Sequence, residues 1–196
     1  SNAAATVTVA GGTLNLTGSN TYTGTTTIKD GMLVLGGPQG VCTGTSTVNI
    51  QDGGKLKIDN GAGVMSSRLN DAADITLNGG TLEVAGGTNP GGEVIGSVTL
   101  GAGKSTIVLS GGSGIALNTG EKLTNNVGYV DFVGLDGSNW FNCGPSYAPT
   151  WLINNLLPNA TVNTTAFAKY DTSTKKIVAI NPATDCASRI ASVATT

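Results

Sequence analysis

Histidine is absent from this chain, and its absence removes the commonest general base and the commonest neutral metal ligand. Without it no Ser-His-Asp or Cys-His constellation can be assembled, however many serines are present. Charge is scarce too: Asp, Glu, Lys and Arg make up 11% of the 196 residues, and the net charge is −2. That balance gives no electrostatic reason to expect nucleic acid or an anionic membrane as partner. No apolar run approaches the ~18 to 20 residues that cross a bilayer, so no direct membrane insertion is expected of this segment.

Cysteine is also rare. Cys42, Cys143 and Cys186 lack CxxC or metal-like spacing, which leaves either one disulfide plus a free thiol or three buried thiols. If a pair forms, Cys143 and Cys186 are favoured, because both lie in the less regular C-terminal part. Neither a cofactor nor a metal is expected. Ser1-Asn2-Ala3 reads as a remnant of tag removal and is left out of the fold reasoning. The rest reads as a piece of a longer, exported protein.

Glycine, threonine and asparagine fill the places that charge leaves, and they fall into a repeating phrase. Val7-Thr-Val9 turns through AGGT into Leu14-Asn-Leu16, and Val48-Asn-Ile50 turns through QDGGK into Leu56-Lys-Ile58. Ile75-Thr-Leu77 turns through NGGT into Leu82-Glu-Val84, and Val98-Thr-Leu100 turns through GAGKST into Ile107-Val-Leu109. Ile115-Ala-Leu117, NTGEK and Leu123 read as a weaker last copy. Alternation within each run places apolar side chains on one face and Thr, Asn, Lys or Glu on the other.

Such strands suit either a hairpin sandwich or a solenoid. The equivalent inward position recurs at Leu14, Leu33, Leu56, Leu82 and Ile107, in steps of 19, 23, 26 and 25 residues. Hairpin strands recur every ~8 to 12 residues, whereas periods of ~20 to 30 suit one coil per repeat. The expected fold class is therefore all-β, a parallel β-helix (β-solenoid), with five or six coils forming a rod on the order of 25 to 30 Å long.

The stretch GTLNLTGSNTYTGTTTIKDGMLVLG, within Gly11 to Gly36, resembles the autotransporter-associated β-strand repeat of bacterial autotransporter-type surface proteins. It carries a G-T-L-x-L-x-G opening, then N-T-Y-T-G, then T-x-I-x-x-G-x-L-x-L-G. VDFVG at Val130 to Gly134 and FAKYD at Phe167 to Asp171 resemble segments downstream of such repeats. The resemblance implies a right-handed parallel β-helix, export, and display at or release from a bacterial surface, with the outer-membrane anchor supplied elsewhere in the parent protein.

Composition shifts once along the chain. Of 30 glycines, 27 fall at or before Gly128, while eight of nine aromatics fall at or after Tyr129. Residues 4–128 are expected to form the solenoid repeats, and 129–196 an irregular C-terminal capping segment that includes the last coils, all in one domain. The final ASRIASVATT is expected to be weakly helical or frayed.

Candidate chemistry is sparse. GAGKST lacks the first glycine of a phosphate-binding loop, since Val98 stands there, and it leads into a strand rather than a helix; it is a turn. Asp71 with Asp74, and Asp131 with Asp136, are the carboxylate pairs to weigh for acid/base or Ca²⁺-assisted chemistry, but they do not recur at one coil position. Turn-capping accounts for Asp71, Asp74 and Asp136 more simply. No repeated G-G-x-G-x-D array exists for Ca²⁺. Asn15, Asn49, Asn78 and Asn118 suit either exposed side-chain ladders or, more simply, solvated strand faces.

The aromatic cluster Trp140, Phe141, Tyr147 and Trp151 has two readings. Exposed, the rings form a platform on which sugars stack, with Asn139 and Asn142 supplying hydrogen bonds; buried, they plug the end of the rod, each removing about 150 to 250 Å² from water. The favoured function is a non-enzymatic structural or adhesive passenger segment. The alternative is a carbohydrate-binding or carbohydrate-active β-helix that uses residues 140–151. The expected partners are glycans or surface proteins of a host or neighbouring cell, with self-association through the solenoid ends as a further possibility.

Overall fold

The computed structural model describes residues 4–63, 65, 67–87, 91–143 and 148–186. The chain winds in coils whose strands stack in parallel on three faces. The first coil contributes β1 (Val7–Val9), β2 (Thr13–Leu16) and β3 (Ser19–Asn20), and the second β4 (Thr26–Ile28), β5 (Met32–Leu35) and β6 (Val41–Cys42). The third contributes β7 (Thr47–Gln51) and β8 (Lys55–Asp59), and its third face is reduced to an isolated bridge from Leu69 to Cys42. Then come β9 (Asp74–Asn78), β10 (Thr81–Ala85) and β11 (Gly92–Ile95), followed by β12 (Val98–Leu100), β13 (Lys104–Ser110) and β14 (Ala116–Thr119). The last coil is β15 (Leu123–Asn125), β16 (Tyr129–Val133) and β17 (Trp140–Cys143).

The register is the one the residue spacing demands. Leu14 pairs with Leu33, Leu33 with Leu56, Leu56 with Leu82, Leu82 with Ile107, and Ile107 with Phe132. Along this ladder exposure falls from 37% at Leu14 to 2% at Leu33 and 0% at Leu56 and Leu82. Each fully buried aliphatic side chain contributes roughly 1.5–3 kcal/mol, so the stack of coils is itself the core. A parallel column, Ile28, Ile50, Leu77 and Leu100, lines the opposite inner wall.

Corner chemistry explains the paired glycines. Gly11, Asp30, Gly53, Gly79 and Gly103 hold positive φ (125°, 52°, 73°, 84° and 95°) at the same corner of successive coils. The glycine that follows is set by stacking instead: a Cβ on Gly31 would lie 2.8 Å from Gly11 N, and one on Gly54 2.4 Å from Ile28 O. GAGKST occupies this corner between β12 and β13, as its turn reading requires.

Two expectations change. Ile115-Ala-Leu117 and Leu123 do not flank the glycine corner; NTGEK joins β14 on the third face to β15 on the first. Any Gly-containing turn between alternating runs looks alike in sequence, so the phase of the last copy was misplaced. The cap is also more regular than expected. β16 and β17 complete a coil, and β18 (Leu156–Val162), β19 (Ala166–Asp171) and β20 (Lys176–Ala179) then form an antiparallel meander. β18 pairs with β16 and β20 with β17, so the meander joins two faces of the rod into one 12-stranded sheet and closes their C-terminal edges. Pro182–Cys186 makes a short π-helical turn, and ASRIASVATT lies outside the described residues.

Candidate functional site

Strand alternation sorts the aromatic cluster. On β17, Phe141 points inward, is fully buried and packs its ring 5.2 Å from that of Phe132. Phe141 is therefore a core residue and not part of a sugar platform, because a strand that turns Trp140 outward must turn its neighbour inward. Trp151 is half-buried against the core and donates its indole N–H to Pro158 O at 3.0 Å, serving the cap. Tyr147 lies outside the described residues.

Among the described members of the cluster, Trp140 alone stands half-exposed on the outer face. There Ala116 precedes it on β14, and Asn118, Asn142 and Lys176 form the adjacent row across β14, β17 and β20. The Lys176 ammonium lies 4.2 Å from the Trp140 ring centroid, within cation–π range. Leu135, Asn139, Trp140, Lys176 and Val178 wall a cavity of about 260 Å³. Asn118, Asn142, Thr174 and Lys175 border a second, of about 330 Å³, and the buried Asn142 Oδ1 has no hydrogen-bond partner. Lys176 was not legible as part of this group, since the antiparallel return of β20 brings it there from 36 positions along the chain.

The carboxylates serve structure. Asp131 is 2% exposed and accepts from Thr161 Oγ1 at 2.7 Å and Thr164 N at 3.0 Å, pinning the β18–β19 turn to β16. Asp136 accepts from Ser138 N, Ser138 Oγ and Asn139 N, bonds that hold its carboxyl below the usual range. Asp74 accepts from Ser97 N. Asn15, Asn49, Asn78 and Asn118 do not stack as one ladder; the outward column of the first face is Thr8, Thr27, Asn49, Thr76, Thr99 and Thr124.

Cys42 and Cys143 are buried thiols, and burial pushes the Cys143 thiol up to about 12. The side chain of Cys186 lies outside the described residues, and with it the expected pairing to Cys143.

A polar cluster that the sequence did not advertise sits inside the rod, where the third face is interrupted. Arg68 is fully buried and donates to Asn60 Oδ1 (2.6 Å) and to the carbonyls of Gly40 (2.8 Å), Gly37 (2.9 Å) and Gly63 (3.0 Å). Glu93, also fully buried, accepts the backbone N–H groups of Arg68 and Leu69, both at 3.1 Å. Its side chain thus replaces the strand missing from that coil. The spacing gave no hint of it, since the step from Leu56 to Leu82 is 26 residues and the next, to Ile107, is 25.

Desolvation raises Glu93 from 4.5 to about 7, against the pull of Arg68 and the two N–H groups and with a push from Asp71. A raised carboxyl favours the folded state below its unfolded value, and that contribution is lost as pH rises through the folded one. Stability is thus expected to fall by on the order of 1–3 kcal/mol between pH 5 and pH 8. The chain has no histidine to contribute in that window. Urea unfolding at stepped pH checks this, with the slope lost in Glu93→Gln.

Residues 11–35 match the family model described as passenger-associated-transport-repeat. In the structure this stretch runs from the corner after β1 to the end of β5, one coil and part of the next. No curated protein and no solved structure matches the chain. Among the described residues, no group of three or more His, Cys, Asp or Glu side chains is placed to hold a metal ion.

Proposed function

We propose that the chain is a non-enzymatic structural segment of an exported autotransporter-type passenger, presenting rigid polar faces at the bacterial surface. The observation that carries this reading is the unbroken register from Leu14 to Phe132, combined with the repeat at residues 11–35. The repeat family supports export as a passenger. The column of Thr8, Thr27, Asn49, Thr76, Thr99 and Thr124 offers repeated uncharged contacts of the kind that suits weak multivalent adhesion to host or neighbouring cells. Incubation with a panel of polysaccharides should release no products. Cleavage that Asp136→Asn abolishes would overturn the reading; Asp136 is exposed, and Asn keeps an Oδ1 acceptor for the Ser138 and Asn139 N–H groups, so circular dichroism should stay unchanged. Antibodies to the segment should label intact cells that express the parent protein.

A second reading has its own observation: Trp140 with Lys176 on its ring, beside Asn118 and Asn142, makes a small face suited to a saccharide ring. On a glycan array the protein would then retain a defined glycan, and Trp140→Ala would lose at least about tenfold in affinity with its melting temperature unchanged. Retention untouched by that substitution would remove the face from consideration.

A further inference from the structure

Three lysines of this chain face carboxylates: Lys55 meets Glu83, Lys57 meets Asp59 at 2.9 Å, and Lys169 meets Asp185. Lys176 faces an indole instead, with its Nζ 4.2 Å from the centre of the Trp140 ring. The carboxyl opposite it in the strand register, Asp171 on β19, is engaged in its own turn. It accepts from Ser173 N at 2.9 Å, Ser173 Oγ at 2.6 Å and Thr174 Oγ1 at 2.8 Å. Among the described residues no carboxylate lies within ion-pair distance of Lys175 or Lys176. The strands alongside supply none either. Their outward rows are Gly92, Ala116 and Trp140, and then Val94, Asn118 and Asn142. Glu93 stands between these rows, but it turns into the rod and is fully buried.

We infer that this face takes a saccharide bearing a carboxylate or sulfate group, the anion at the Lys176 ammonium and the sugar ring in the cavity walled by Leu135, Trp140 and Val178. The inference rests on the saccharide reading of Trp140 and adds the class of sugar. An ammonium over an aromatic face keeps its full charge and has N–H donors to spare. The ring also holds it in place, so much of the entropy of ordering a long side chain is lost before a ligand arrives. A bond from that ammonium to an anion is charge-assisted and stronger than one to a neutral hydroxyl. Lysine presents a point charge without a planar fork, so carboxylate and sulfate suit it alike.

The rest of the face supplies what a sugar needs beside the charge. The cavities of about 260 and 330 Å³ lie toward the two ends of β17. They sit near the lower end of the roughly 300–1,000 Å³ usual for ligand sites, a size for single sugar rings. The second is bordered by Asn118, by the exposed Lys175 and by Asn142, whose Oδ1 lacks a partner and suits a sugar hydroxyl as donor.

A glycan array tests the inference on the full chain. It carries oligogalacturonates beside their methyl esters, sulfated galactans beside their desulfated forms, and oligoglutamate as a charged chain without a ring. The charged member of at least one sugar pair should bind at least about tenfold more tightly than its neutral counterpart, and the preference should shrink as salt rises from about 0.05 to about 0.5 M. Which pair shows it tells carboxylate from sulfate. Lys176→Met keeps a long apolar side chain beside the indole and should erase the preference with circular dichroism unchanged. Lys29→Met, exposed in an early coil, should leave the preference intact. Equal binding of charged and neutral members would overturn this inference and leave the saccharide reading standing, whereas binding of no glycan would overturn both. A preference that survives Lys176→Met would overturn it too, because the charge would then be read elsewhere. So would oligoglutamate bound as tightly as the acidic sugars.

Discussion

Arg68→Ala is expected to cost about 3–5 kcal/mol, a large share of the roughly 5–15 kcal/mol that holds a domain of this kind together. The guanidinium is buried where the third face has no strand, and its N–H groups satisfy Asn60 Oδ1 and the carbonyls of Gly37, Gly40 and Gly63 on the neighbouring loops. Removing it leaves these acceptors buried without donors and opens a cavity beside Leu69. Arg68→Lys should recover little, because one ammonium cannot span a fork of acceptors on different loops. Urea midpoints of the two variants measure both effects. A loss below about 1 kcal/mol for Arg68→Ala would mean that water replaces the guanidinium there.

The second large effect is positional. Leu56→Ala should cost about 2–5 kcal/mol and Leu14→Ala less than about 1 kcal/mol, although both residues occupy the same ladder in the same register. Leu56 is sealed between the coils above and below, whereas Leu14 has a coil on one side only. At about 2–4 °C per kcal/mol for a chain of this size, thermal melts separate the two readily. Equal losses would show that the core is not a stack with an open end.

This contrast also marks what sequence could and could not deliver. The inward series Leu14, Leu33, Leu56, Leu82 and Ile107 was legible because each coil repeats one apolar position next to a glycine corner, and stacking forces both. Alternation alone placed Phe141 and Trp140 on opposite faces, yet four aromatics within twelve residues invited a single platform. The cap was legible only as a change in composition. Its antiparallel return depends on β20 finding β17 across more than 30 residues, a pairing with no local signal. Arg68 and Glu93 were missed for a related reason: charged residues are read as solvated by default, and their burial follows from a strand that the third coil lacks. Asp131, considered for acid/base chemistry, proved to be the anchor for Thr161 and Thr164.

Residue-resolved native hydrogen exchange tests the central claim most directly: a one-dimensional stack whose last coil is covered at β16 and β17 by the meander and whose first coil, in this chain, has a neighbour on one side only. Amides of β8, β10, β13 and β16 should exchange only through global unfolding, with β18 protected alongside β16. Amides of β1, β2 and β3 should exchange orders of magnitude faster. Fast exchange throughout β18–β20, or uniform protection that reaches β1–β3, would contradict the account.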